Sequence, residues 1–320
     1  MALDAQIAPG REKVALALGA GGARGLAQIG VIEVLEERGF EIVTISGASS
    51  GALVGGIHAA GRLREFDARL QAMSRRDFLR LLDPVLGRSG MLRGRRLVDA
   101  MREVVGDPLI EELPIRFTAV AVDLQRQREV WLQSGRLWDA LRASFAIPGL
   151  FLSHQVHGRE LVDGGLLAPL PIAATRLSDA HRLVAVDMHG WPRRPPGQPA
   201  ANGTTTPGRT GPGDAAEPGP DATGEAGAFA DAGEADPPAP AGWGWRRRGE
   251  VRDMGLVEVM SRSLDTMQAQ IARVQLALDP PELVIRIPRD ACQFYEFWRA
   301  RELIAIGRHE AIRALDAAGY

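Results

Sequence analysis

Residues 14–18, "VALAL", form an unbroken apolar run closed by glycines, the pattern of a strand buried on both faces. The following "GLAQIGVIEVLEERG" sets Leu26, Ile29, Ile32 and Leu35 at three-residue steps, and Gly39 after Arg38 is a stop signal, so a helix is predicted there. "EIVTI" (41–45) predicts a second strand and "GALVGGIHAAG" a helix of small residues. Alternation of strand and helix in this rhythm predicts a parallel sheet with crossover helices. Further on, helices are predicted over 62–82 and 94–105, a pair of strands in "IRFTAVAVD" and "REVWLQS", a helix in "RLWDALRAS" and a buried strand in "HRLVAVDMH". A long helix over 250–278, the strand "ELVIRIP" and a helix over 294–318 complete the chain.

One stretch breaks the rhythm. Residues 191–248 hold 11 of the 21 prolines and no Val, Ile or Leu, so they cannot bury enough apolar surface to offset the entropy of ordering. The organisation expected is a tail over 1–12, an α/β core over 13–190, a disordered Pro/Gly/Ala-rich insertion over 191–248, and a helix–strand–helix segment over 249–320 that completes the same domain. No internal repeat is visible.

With 320 residues, 45% of them hydrophobic, the chain can bury a substantial core. The formal net charge of -2 supplies no field to recruit nucleic acid. Cys292 is the lone cysteine, which excludes an internal disulfide and fits a reducing compartment. Neither a signal peptide nor a bilayer-spanning run is legible, so a soluble cytoplasmic protein is expected.

Two short motifs carry the candidate chemistry. Gly47-Ala48-Ser49-Ser50-Gly51 fits G-x-S-x-G, between a predicted strand and a predicted helix. A central serine in that context sits on a sharp turn that exposes its hydroxyl. Ser49 is therefore the candidate nucleophile, with Ser46 and Ser50 off the apex; the alternative is that Ser49 or Ser50 merely caps the helix. "GAGGARG" (19–25) follows the first strand. As a dinucleotide fingerprint it fails, because Arg24 stands where the third glycine belongs and no acidic residue ends the second strand. The loop is instead read as an oxyanion hole over Gly21, Gly22, Ala23 and Arg24, with the amides of Gly21 and Gly22 as the chief donors. Arg24 either braces the loop, contacts an anionic head group or simply starts a surface helix.

A nucleophile needs a base. Asp163, in "LVDGG" with Gly164 and Gly165, is either that base or an ordinary Asp-Gly turn. A histidine base in the order Ser…Asp…His would be His181, His189 or His309, with His189 the best placed, just past a predicted strand.

The glycine loop, "GASSG", "RASFAIPGLF" (142–151) and "LVDGG" stand in the order and spacing of the patatin-like phospholipases, and the chain resembles their small bacterial members. The resemblance implies a three-layer α/β fold with a mostly parallel central sheet, and a Ser49–Asp163 dyad in place of a triad. It also implies an oxyanion hole from the glycine block, no metal or cofactor, and lipid esters as substrate. The chain departs from the family at Ala20, where glycine is usual. The implied activity is that of a serine lipid acyl hydrolase of the phospholipase A or lysophospholipase type. An acyltransferase, thioesterase or general esterase on the same dyad is the alternative, and a non-catalytic lipid- or protein-binding scaffold the third. "RLLDPVLGRSGMLRGRR" (80–96) and "WGWRRR" (243–248) are candidates for peripheral contact with the inner membrane face. Nothing in the chain sets an oligomeric state.

Overall fold

The structure, a computed structural model, describes residues 12–84, 92–176, 178–192 and 256–320. One compact unit takes in Met1–Ala200 and Gly255–Tyr320, and Ala201–Met254 form a second, which lies outside the described residues. The expected insertion and "WGWRRR" fall almost wholly outside them too, as do the start of the helix expected from 250 and the middle of the 80–96 stretch.

Among the described residues eight strands form one sheet: β1 (Lys13–Leu18), β2 (Glu41–Ala48), β3 (Arg116–Asp123), β4 (Arg128–Leu132), β5 (His154–Val156), β6 (Arg159–Asp163), β7 (Arg182–Gly190) and β8 (Leu283–Pro288). Their order is β5-β6-β3-β2-β1-β7-β8, with β4 also paired to β3. The strands from β3 to β8 in that order are mutually parallel, whereas β4, β5 and β6 pair antiparallel. Among the described residues eight helices flank it: α1 (Ala27–Glu37), α2 (Ser50–Ala59), α3 (Leu63–Ala72), α4 (Arg75–Leu81), α5 (Arg95–Val105), α6 (Leu137–Ser144), α7 (Leu256–Leu278) and α8 (Ala300–Ala318).

Strand β1 shows why the layers number three. Val14, Leu16 and Leu18 enter a core shared with α1, α2, α6 and α8, while Ala15 and Ala17 enter another with Leu170, Ile172 and Ala272 of α7. A strand apolar on both alternating faces has to be covered twice. The result is the three-layer α/β arrangement with a mostly parallel sheet.

Two expectations shift, and one pair of strands is new. The helix over 62–82 breaks at Met73, because Ser74 opens a new helix: its Oγ accepts the Asp77 amide at 3.3 Å and Asp77 Oδ2 accepts the Ser74 amide at 3.1 Å. The last helix starts at Ala300 instead of 294, after a short 3-10 turn over Phe297–Arg299. Phe297 stacks on Phe78 of α4 at 5.2 Å between ring centroids, which holds this segment off a helical path. The hairpin of β5 and β6 was not foreseen at all; its paired segments of three and five residues are too short to show a period.

Candidate active site

The sheet register brings two distant segments together. At Ala119 and Val120, β3 is paired with both β2 and β4, and from Ala121 to Asp123 with both β4 and β6. Because a strand has two edges, β2 and β6 must share one of them. Parallel β2 ends with Ala48 opposite Val120, and antiparallel β6 ends with Asp163 opposite Ala121. The two strands therefore meet end to end, and the residues at their meeting point are Ser49 and Asp163.

Ser49 occupies φ 56°, ψ -122°, a left-handed conformation that a serine rarely adopts. Such strain persists only where the surroundings over-determine it. Here the Ser49 amide donates to Ser144 Oγ at 3.0 Å, and that hydroxyl donates to the Val120 carbonyl at 2.6 Å. Small neighbours let the turn close: a side chain at Gly51 would run into the Leu18 carbonyl, and one at Gly47 into the first turn of α2. The capping alternative finds no bond, since Ser49 makes no side-chain cap to α2. Ser46 Oγ instead donates to the Pro171 carbonyl at 2.7 Å, and Ser50 Oγ accepts the Gly21 amide at 3.2 Å.

Asp163 is 1% exposed. Its Oδ1 accepts the Gly165 amide at 2.7 Å, as in an Asp-Gly turn, and Gly164 lies so close to the Val120 carbonyl that any side chain there would collide with it. Oδ2 is buried without a closed hydrogen bond. Burial pushes the carboxyl up to about 7, against the opposing pull of the Ser49 side chain and the Gly165 amide. The Ser49 side chain thus lies close enough to act on the Asp163 carboxyl without closing a hydrogen bond to it.

The glycine loop lies beside this pair. Gly22 has φ +56°, and its amide, first in the 3-10 turn Gly22–Leu26, is not used by that turn. The Ala23 amide donates to the Phe294 carbonyl at 2.9 Å and the Ala20 amide to the Pro169 carbonyl at 2.8 Å. Arg24 is 4% exposed, so it is no surface residue. Its Nε donates to the Gly21 carbonyl at 3.4 Å, Nη1 to the Arg289 carbonyl at 2.9 Å, and Nη2 pairs with Asp265 of α7.

Of the candidate histidines, His181 and His309 are exposed. His189 is buried, with Nδ1 3.4 Å from Asp187 and Nε2 3.6 Å from Asp265. Ser144 and Asp265 escaped the motif reading. Ser144 lies within the quoted "RASFAIPGLF" block, a signal that was available; Asp265 pairs with a residue 241 positions away, which no local pattern announces.

The sequence profile of the patatin-like phospholipases matches residues 16–176, half of the chain. The chain belongs to that family. An NTE family protein of Mycobacterium tuberculosis is 42% identical over 337 aligned residues, covering 95% of this chain and 92% of its own length. The lysophospholipase nte1 of Emericella nidulans is 31% identical over 55% of this chain but only 12% of its own. The lysophospholipase NTE1 of Saccharomyces cerevisiae is 29% identical over 58% of this chain and 11% of its own. The membership carries lipid hydrolase chemistry at the level of class. Among the described residues no helix is long and apolar enough to cross a membrane.

Proposed function

We propose that this patatin-like protein is a serine lipid acyl hydrolase of the phospholipase A or lysophospholipase type, with Ser49 as nucleophile and Asp163 as its base. The observation that carries the reading is the pairing of a strained serine at the apex of its turn with a buried carboxyl oxygen that has no other hydrogen-bonding partner.

In this mechanism Asp163 accepts the Ser49 proton as Oγ attacks the ester carbonyl. The tetrahedral oxyanion faces the amides of Gly21 and Gly22. The Gly21 amide leaves its 3.2 Å contact with Ser50 Oγ to do so, whereas Ala23 is already committed to Phe294. Each such donor contributes about 3 kcal/mol. Asp163 then returns the proton to the departing alcohol or lysolipid, and water, deprotonated in turn by Asp163, releases the fatty acid from the acyl-enzyme.

Arg24 acts in this reading as a brace. The carbonyl and amide of one trans peptide point in opposite directions, so holding the Gly21 carbonyl aims the Gly22 amide away from Arg24. Asp265 compensates the buried guanidinium.

A fluorophosphonate probe tests the nucleophile: labelling of the wild type that vanishes in Ser49→Ala is expected, with fatty acid release from lysophosphatidylcholine lost in parallel. Wild-type turnover in Asp163→Asn would overturn the dyad and direct attention to His189.

A further inference from the structure

The second half of the reaction needs a water held against Asp163 as firmly as the strained turn holds Ser49. Two glutamines of α7, Gln268 and Gln275, stand seven residues apart, about two turns, along the segment that follows Asp163. Gln275 is committed to backbone: its Oε1 accepts the Leu170 amide at 3.2 Å and its Nε2 donates to the Leu167 carbonyl at 3.4 Å. Gln268 is only 5% exposed, yet no hydrogen bond among the described residues engages its carboxamide. Neither of its polar atoms is sealed from solvent, as Asp163 Oδ2 is. A buried carboxamide left without partners is costly, so its persistence here asks for a reason.

Its position supplies one. A β-carbon on Gly165 would stand 2.5 Å from Gln268 Nε2 and 2.9 Å from Asp163 Oδ1. The two polar atoms are therefore nearer to each other than the roughly 5.6 Å that two hydrogen bonds through one water can span. They form no direct bond: Oδ1 accepts the Gly165 amide alone. A carboxylate oxygen has room for a second donor, and a glutamine amide has two protons to give. The remaining neighbour of that point, Ala20 Cβ at 2.9 Å, competes for neither.

From this juxtaposition of an uncommitted carboxamide and the base, we propose that Gln268 holds the water that hydrolyses the acyl-enzyme. The proposal rests on the hydrolase reading above and adds the residue that orients its second half. Gln268 Nε2 donates to the water oxygen, and the water donates to Asp163 Oδ1. As the water oxygen bonds to the acyl carbonyl carbon, its proton passes to Asp163 and the carbonyl electron pair moves onto the oxyanion. Collapse breaks the bond to Ser49 Oγ, which takes the proton from Asp163, and the free acid leaves. In the first half the attacking hydroxyl belongs to Ser49 itself, so Gln268 has no part in it.

The test follows 4-nitrophenyl butyrate, whose activated leaving group makes acylation the faster half, by rapid mixing. Gln268→Met keeps the side chain's length and removes its hydrogen-bonding groups. First-turnover release of 4-nitrophenol is expected to stay within about twofold of wild type while steady-state turnover falls by roughly tenfold or more. A burst then precedes the steady state, and intact mass shows a butyryl group accumulating on the variant. Gln268→Leu carries the same comparison if the Met variant does not fold. Equal slowing of both phases, or unchanged steady-state turnover, overturns the proposal and leaves the hydrolase reading standing. A wild type that releases no 4-nitrophenol and is not labelled at Ser49 by fluorophosphonate defeats the hydrolase reading, and this proposal with it.

Discussion

Two buried carboxylates, Asp163 at the end of β6 and Asp187 near the end of β7, differ in one respect that separates a candidate base from a structural anion. Burial works against ionisation in both. At Asp163 the groups facing it are a neutral hydroxyl and one amide, and the carboxyl stays up at about 7. At Asp187 the burial cost is outweighed by the hydrogen bond and charge of His189, with help from its amide at 2.9 Å and from Arg286, and the carboxyl is held below its usual range. Depth alone does not make a base; the partners decide whether the proton can come and go near neutral pH.

The largest expected effect falls on turnover. On the proposed dyad, Asp163→Asn removes the proton acceptor and should lower kcat by roughly a hundredfold to ten-thousandfold, whereas Asp187→Asn should leave most of the activity. Equal losses in steady-state assays would erase the distinction between the two carboxylates.

The same substitution should stabilise the fold. The carboxyl of folded Asp163 keeps its proton up to about pH 7, while the unfolded chain releases it near pH 4. Folded protein thus binds the extra proton between those values, and the wild type loses stability as pH rises across that window. A neutral carboxamide in its place carries no such penalty. Denaturant unfolding at pH 8 should show Asp163→Asn more stable by a few kcal/mol, at ~1.4 kcal/mol per pKa unit, with the gain fading toward pH 4. A variant less stable than wild type at pH 8 would mean that Asp163 is a structural anion like Asp187.

A smaller loss is expected where Asp187 and His189 adjoin the glycine loop. Asp265→Asn unpairs Arg24 and should lower kcat by about tenfold with little change in KM, because aim rather than binding is disturbed. Asp265→Glu should recover most of the loss; a change confined to KM would remove Arg24 and Asp265 from the account of the oxyanion.

The most discriminating effect is also the smallest. If Asp163 is the base, the pH profile of kcat/KM should rise through an acid limb near 7 and then level off, since a carboxyl accepts a proton only when ionised. That limb should stay in place in Asp187→Asn. Its displacement by a full unit would show that the two carboxylates titrate together.

Much of this is legible in the sequence. The "VALAL" run, the glycine loop and the serine turn are local patterns whose meaning depends on neighbours within a dozen residues, and β1, α1, β2 and α2 stand where those patterns put them. The break at Met73 was local as well, written in Ser74 and Asp77, but a continuing apolar rhythm masked it. Asp163 could be named yet not placed, because β6 is too short for periodicity to betray and its pairing with β3 spans forty residues. Arg24 shows the same limit: the motif marked the residue, but its burial and its partner Asp265 come from opposite ends of the chain.

What the amino-acid order determined by itself is therefore the class of fold and the chemistry carried by short motifs, since both follow from hydrogen bonding and side-chain period over a few residues. The meeting of β2 and β6 on one edge of β3, the charge state of Asp163 and the pairing of Arg24 with Asp265 were decided only by tertiary structure. Each depends on which distant surfaces exclude water from one another, and no local pattern encodes that.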